Sequence, residues 1–290
     1  MKIKILFKLS CIILFAALAG CATNKTANTR SADQLGWQLA IHSYTFQKFS
    51  IFDAIDMTAK LGVKYMSISG GVSLDGKTRL TTVDLTDAQR AAIDEKLRAD
   101  GFGHFVNTGV VQLPADEAKS RRVFEFAKKW GINILVAEPP TNAWDMLEKL
   151  CEEYNIRVAI HEHPKGHSIY WNPDTVLAAV QGRPMLGACA DVGHWIRSGL
   201  DPLECVKKLN GHIFVLHFKD LNEYGMKAHD VPWGTGVGKS RQIMEELKRQ
   251  HFHGAFCVEY EYHWENSSPE IAQCVKFFNQ TCDELVAELK

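Results

Sequence analysis

The sequence predicts a single (β/α)8 barrel. Short apolar runs alternate with longer amphipathic segments from residue 36 onward, and eight such pairs follow one another without a linker or an internal repeat. This alternation is the pattern of βα units around a parallel sheet. Length agrees, because about 255 residues lie beyond the N-terminal segments and barrels of this kind run to about 250 residues as one unit. A doubly wound open sheet is the structural competitor.

Taken in order, the chain opens with Lys2, Lys4 and Lys8, then the apolar run from Cys11 to Leu18, then small residues. That is the pattern of a secretory signal peptide. The run is too short for a permanent span, which needs roughly 20 apolar residues. Leu18-Ala19-Gly20-Cys21 resembles the lipobox of bacterial lipoproteins. The resemblance implies a signal peptide over 1–20, lipidation of Cys21, and an exported chain anchored to a bacterial membrane and facing the periplasm. An ordinary cleaved signal, with Cys21 incidental, is the plainer alternative. Residues 21–35 are polar and small and read as a flexible tether, which leaves 36–290 for the barrel.

The strand candidates are WQLAIHSY, VKYMSISG, GHFVN (103–107), INILVAE, IRVAIHEH, LGACAD, HIFVLHF and FCVEYEY. The helical segments between them often open on Thr, Asp, Asn or Ser and close on Gly, as helix caps prefer. A hydrophobic fraction of 46% can fill the core, and a formal net charge of -1 offers no basic field for nucleic acid or an anionic membrane surface. Membrane contact is expected through the lipid anchor only. Of the eight cysteines none forms a CxxC pair, and Cys189 and Cys257 sit within apolar runs, so they read as small buried hydrophobes.

In a (β/α)8 barrel the reactive groups sit at the C-terminal ends of the strands. Four runs end in ligand-type residues: Glu138 after NILVA, Asp191 after GACA, His217 in FVLHF and Glu259 in FCVEY. Each alone has an ordinary explanation, as a helix cap or a packed core histidine. Together at one barrel mouth they would repel one another without a cation. A mixed carboxylate and imidazole shell suits one divalent ion, Mn, Mg, Co or Zn.

These residues, with the D-x-G-H of Asp191 and His194 and the H-x-K-D of His217 to Asp220, resemble the xylose-isomerase-like TIM-barrel superfamily of sugar phosphate isomerases and epimerases over roughly residues 36–285. The resemblance implies that Glu138, Asp191, His217 and Glu259 bind the metal and that Glu138 and Glu259 act as acid and base. It also implies substrate contacts by His163 and by His194, the latter directly or from behind a ligand. His161 shares a strand face with His163, either in the pocket or in layer packing. Lys219 is expected to hold a substrate oxygen or to make a solvent-facing salt bridge. Trp195 and Trp233 suit stacking on a sugar ring, and His42, Tyr44 and Phe46 can form an apolar wall. The run from Trp233 to Gly238 lacks the strand and spacing of a nucleotide loop and reads as a rim loop. Two departures stand out: strand two has no glutamate, and no arginine of the ketose 3-epimerase kind follows His217.

The expected activity is metal-dependent proton abstraction next to a sugar carbonyl, as isomerase or epimerase, on a small-molecule sugar. Export favours a non-phosphorylated sugar or keto-sugar. Cleavage of the C–O bond of a 3-keto-glycoside is the close alternative, and a non-catalytic carbohydrate-binding lipoprotein is the reading from another class.

Overall fold

The computed structural model describes residues 30–288. Cys21, the leader and most of the tether lie outside the described residues. Ten strands are present: β1 (Trp37–His42), β2 (Tyr65–Ser67), β3 (Gly71–Ser73), β4 (Arg79–Thr81), β5 (Val110–Val111), β6 (Ile134–Ala137), β7 (Arg157–His161), β8 (Leu186–Asp191), β9 (Ile213–Phe218) and β10 (Gly254–Val258). Eight of them form one sheet in the order β2-β1-β10-β9-β8-β7-β6-β5. Every pairing in it is parallel. The sequential order, broken only where β1 meets β10, is that of a TIM barrel with helices on the outside. β3 and β4 form an antiparallel hairpin set apart from this sheet.

The third barrel strand differs from expectation. Residues 103–107 form no strand; the short β5 begins at Val110 instead. The chain just before it closes the barrel by an irregular seam, in which Val106 N donates to Met66 O at 2.9 Å, Ile68 N to Asn107 O at 3.1 Å and Thr108 N to Ile134 O at 3.1 Å. Two local features break the pleat. The Asn107 amide donates to Ser67 Oγ and to the carbonyl of Thr108, and Gly109 lies so near the His42 ring that a Cβ would stand 2.4 Å from Cε1.

Strand periodicity builds the interior in layers. Ala40, Val136, Ala159, Cys189, Val215, Ala255 and Cys257 form a buried cluster of small side chains inside the barrel. The larger apolar residues, among them Trp37, Phe124, Trp195, Phe218 and Phe256, pack in the main core of the molecule. Side chains two apart on a strand share a face. The next inward position after Ala40 is therefore His42, after Val136 Glu138, after Ala159 His161, after Cys189 Asp191, after Val215 His217 and after Cys257 Glu259. A third layer follows on the same faces with His163, Lys219 and Glu261.

The helices start where the sequence places their caps. Ser50 and Asp53 form a capping box for Ile51–Lys60, and Thr86 and Gln89 form another for Asp87–Ala99. Cys151, Cys189, Cys205, Cys257, Cys274 and Cys282 are all free and buried.

Candidate metal centre

The second inward layer brings together His161, Asp191, His217 and Glu259, all buried, with one ligand atom of each lying within 4.8 Å of the others. Glu138 stands beside this group and forms a second one with His161 and His163. Three of the four residues expected to hold an ion thus converge with His161, and Glu138 is linked to them through the His161 imidazole.

Asp191 combines the two roles left open by its sequence context. Its Oδ1 accepts the His194 backbone N–H at 2.8 Å and caps the helix Val192–Arg197. Its Oδ2 faces inward, 3.4 Å from Nε2 of His161, 3.8 Å from Nδ1 of His217 and 3.1 Å from Nζ of Lys219. Burial opposes ionisation of Asp191, but the surrounding His194, Lys219 and His161 outweigh it and hold the carboxyl well below the usual range.

Glu259 accepts the other half of this charge system. Its Oε2 lies 2.7 Å from Lys219 Nζ and 3.0 Å from His217 Nδ1, and its Oε1 lies 3.6 Å from His42 Nε2. Its carboxyl is also held well below the usual range, against burial, chiefly by Lys219 and His217. His42 stacks on His217 with ring centroids 4.8 Å apart. Burial lowers the pKa of His42 to about 3, so its ring is neutral at pH 7.

Glu138 accepts from His161 Nδ1 at 3.0 Å and from His163 Nδ1. Burial opposes its ionisation, yet these two imidazoles lower its pKa to about 2. His161 lies between two carboxylates, with Nδ1 on Glu138 and Nε2 toward Asp191. Although burial disfavours the imidazolium, Asp191 and Glu138 raise its pKa to about 10.

Lys219 makes no solvent-facing salt bridge. It is completely buried and pairs with Asp191, Glu259 and Glu261, the last at 3.0 Å. Burial opposes its charge, but these three carboxylates raise its pKa well above the usual lysine value. Glu261 also receives Arg197 at 3.0 Å, and Arg197 reaches Asp230 at 3.3 Å and His194 Nδ1 at 3.2 Å. This outer ring of charge was not recognised from sequence. Two signals could have found it: Glu261 follows Glu259 at strand spacing, and Arg197 follows His194 by three residues.

The aromatics need correction. Trp233, expected to stack on substrate, is only 2% exposed and packs edge-on against Phe218 with centroids 4.7 Å apart. Trp195 and Phe46 are likewise buried in the core. Apolar loop residues have two possible destinations, and here packing won. The glycine-rich loop holds a carboxylate of its own chain: Asp220 accepts from the N–H groups of Gly234, Gly236 and Gly238 and from Ser240 Oγ. A Cβ at Gly236 or Gly238 would stand within 2.6 Å of Asp220 Oδ1.

A cavity of about 240 Å³ opens over the centre, lined by His42, Tyr44, His161, His163, His194 and Glu259, with Ser69, Arg79, Val110 and Glu261 among the others. The residues fit a divalent ion. His217 Nε2 is buried without a polar partner, and two carboxylates with two imidazoles form a donor set suited to Mn, Co or Zn. Lys219 shares both carboxylates, so an ion would take over part of its pairing and leave Glu261 as its partner.

Fold and centre together define an α/β barrel with a carboxylate and imidazole cluster at the C-terminal mouth. The chain belongs to the xylose isomerase-like TIM barrel family, whose model matches residues 55–281. Among solved structures, an uncharacterised protein from Parabacteroides distasonis is 32% identical with a TM-score of 0.65, covering 84% of this chain and 99% of its own. A xylose isomerase-like protein from Mycobacterium smegmatis in complex with magnesium is 14% identical, with a TM-score of 0.66 over 85% and 96% of the two chains. A D-allulose 3-epimerase from Methylomonas sp. in complex with D-allulose is 14% identical, with a TM-score of 0.65 over 84% and 97%. No curated protein matches the sequence.

Proposed function

We propose that this protein is a divalent-metal-dependent sugar isomerase or epimerase that removes a carbon-bound proton next to the carbonyl of a non-phosphorylated sugar or keto-sugar. The observation that carries this reading is the buried His161, Asp191, His217 and Glu259 cluster with a third carboxylate, Glu138, beside it. Similarity in fold to the magnesium-bound and allulose-bound proteins supports it. The expected lipoprotein leader supports a non-phosphorylated substrate, since sugar phosphates are mainly cytoplasmic metabolites.

Asp191, His217 and Glu259 would hold the ion, with His161 completing the set as the side chains stand. When bound, the ion supplies Lewis acidity toward a carbonyl and its neighbouring hydroxyl. Glu138, ionised and held by His161 and His163, accepts the carbon-bound proton. His163 is the more exposed of the two imidazoles and can pass that proton to solvent. Glu259, ionised on the other side of the centre, returns a proton that it takes from the Lys219 ammonium 2.7 Å away. Return to the opposite face of the same carbon gives epimerisation; return to the neighbouring carbon gives isomerisation.

One observation favours cleavage of a 3-keto-glycoside as a second reading. A neighbouring cavity of about 330 Å³ shares Gly70 and Val110 with the first and is walled by Val83, Val111, Pro114 and Val123. It offers room for a leaving group beyond the sugar ring.

The test is incubation of the manganese-loaded protein with a panel of sugars and keto-glycosides in deuterated water. Deuterium at carbon, lost in Glu138→Gln and Glu259→Gln, supports proton abstraction. Absence of deuterium and of product across the panel would overturn both readings in favour of a binding protein.

A further inference from the structure

Among the described residues, one cation lines the cavity over the centre without a carboxylate to balance it. Lys219 faces three carboxylates and Arg197 two. Arg79, the exposed first residue of β4, stands at the cavity rim with no ion-pair partner; one of its terminal nitrogens donates to the buried Ser69 hydroxyl at 3.2 Å. Its guanidinium carbon stands 5.4 Å from the centroid of the Tyr44 ring. Gly71 makes room for this placement, since a Cβ there would come within 2.7 Å of Arg79 Nε. The guanidinium is therefore held at two points on the wall of the same cavity that His163, His194, Glu259 and Glu261 line.

A guanidinium presents five donors in a planar fork that matches a carboxylate two-to-two. A neutral hydroxyl uses one of these donors and leaves the rest of the fork facing solvent, where a ligand carboxylate can reach it. We propose that Arg79 is a specificity residue that receives a carboxylate of the substrate, so that the substrates are sugar acids, such as uronates, aldonates or their keto forms. The inference rests on the reading of the centre as a sugar-processing site and adds the charge of the substrate to it.

The experiment is calorimetric titration of the manganese-loaded full chain in detergent with matched ligands. The acids are D-glucuronate, D-galacturonate and D-gluconate; the neutral partners are D-glucose, D-galactose and sorbitol; D-glucose 6-phosphate tests the other oxyanion. At least one acid is expected to bind ten-fold or more tightly than its neutral partner. Arg79→Gln should reduce that ratio to near one, and Arg79→Lys, which keeps the charge but not the fork, should restore it in part. Bound manganese, measured alongside, separates this effect from acid binding to the metal alone.

Equal affinity for acids and neutral sugars, a ratio unchanged in Arg79→Gln, or preference for the phosphate overturns the proposal and leaves the sugar-processing reading intact. Failure of every ligand to bind overturns both.

Discussion

At the scale of single residues, the centre is a balance of charges in which Lys219 holds the carboxylates that a divalent ion would share. Removing one partner of a buried ion pair costs about 3–5 kcal/mol. Lys219→Met is therefore expected to destabilise the metal-free protein by that order, and added manganese should recover much of the loss. Thermal melts with and without metal check this; an equal loss in both states would show that the ion does not take over the role of Lys219. His161 supplies a second prediction. Its imidazolium, with a pKa near 10 in the metal-free structure, cannot ligate an ion until it loses its proton. Metal uptake should thus release a proton, and affinity should rise about ten-fold per pH unit between about pH 6 and 9. Titration in buffers of differing ionisation enthalpy measures that release. The positions of Glu138, Asp191, His217 and Glu259 at strand ends were legible in sequence because strand periodicity fixes which side chains point inward. The burial of Lys219 was not, because H-x-K-D gives no sign that three carboxylates gather around the ammonium. Arg79 left no local signal at all, since its reach depends on how the hairpin folds back over the barrel.

At the scale of elements, the loop after β9 is organised by a single carboxylate. Asp220 accepts three backbone N–H groups and a hydroxyl. Asp220→Ala would leave these donors without their partner, at about 1–3 kcal/mol for each one that stays buried. The expected outcome is a lower denaturation midpoint together with faster hydrogen exchange over residues 232–240, while the metal-ligating cluster keeps its affinity. The run from Trp233 to Gly238, read from sequence as a rim loop and not a nucleotide loop, does form an anion cradle from its backbone amides, and the anion is internal. The third strand was misplaced by the sequence reading for a related reason. GHFVN has an apolar centre, but Asn107 and Gly109 are spent on a side-chain contact and on a close approach to His42, and no window of hydrophobicity records such demands.

At the scale of the whole molecule, the eightfold alternation carried the fold because each βα pair repeats the same two periodicities. The leader is a separate matter of cell biology. Full-length protein should sediment with membranes and be released by Cys21→Ser, which fractionation of expressing cells would check; a soluble wild type would remove the anchor and with it the argument against phosphorylated substrates. The barrel itself is not uniform around its circumference. Seven junctions are parallel ladders, that of β8 with β9 shifting register between Ala188 and Cys189, whereas the eighth joins β2 to residues 106–109 by a single isolated bridge and a few irregular hydrogen bonds. The hairpin that carries Arg79 is attached beside that junction, away from Asp191, His217 and Glu259 on the well-laddered side. The candidate metal cluster and the Arg79 hairpin are thereby set on differently bonded arcs, so the hairpin can be lengthened, recharged or exchanged without breaking a ladder that holds the cluster.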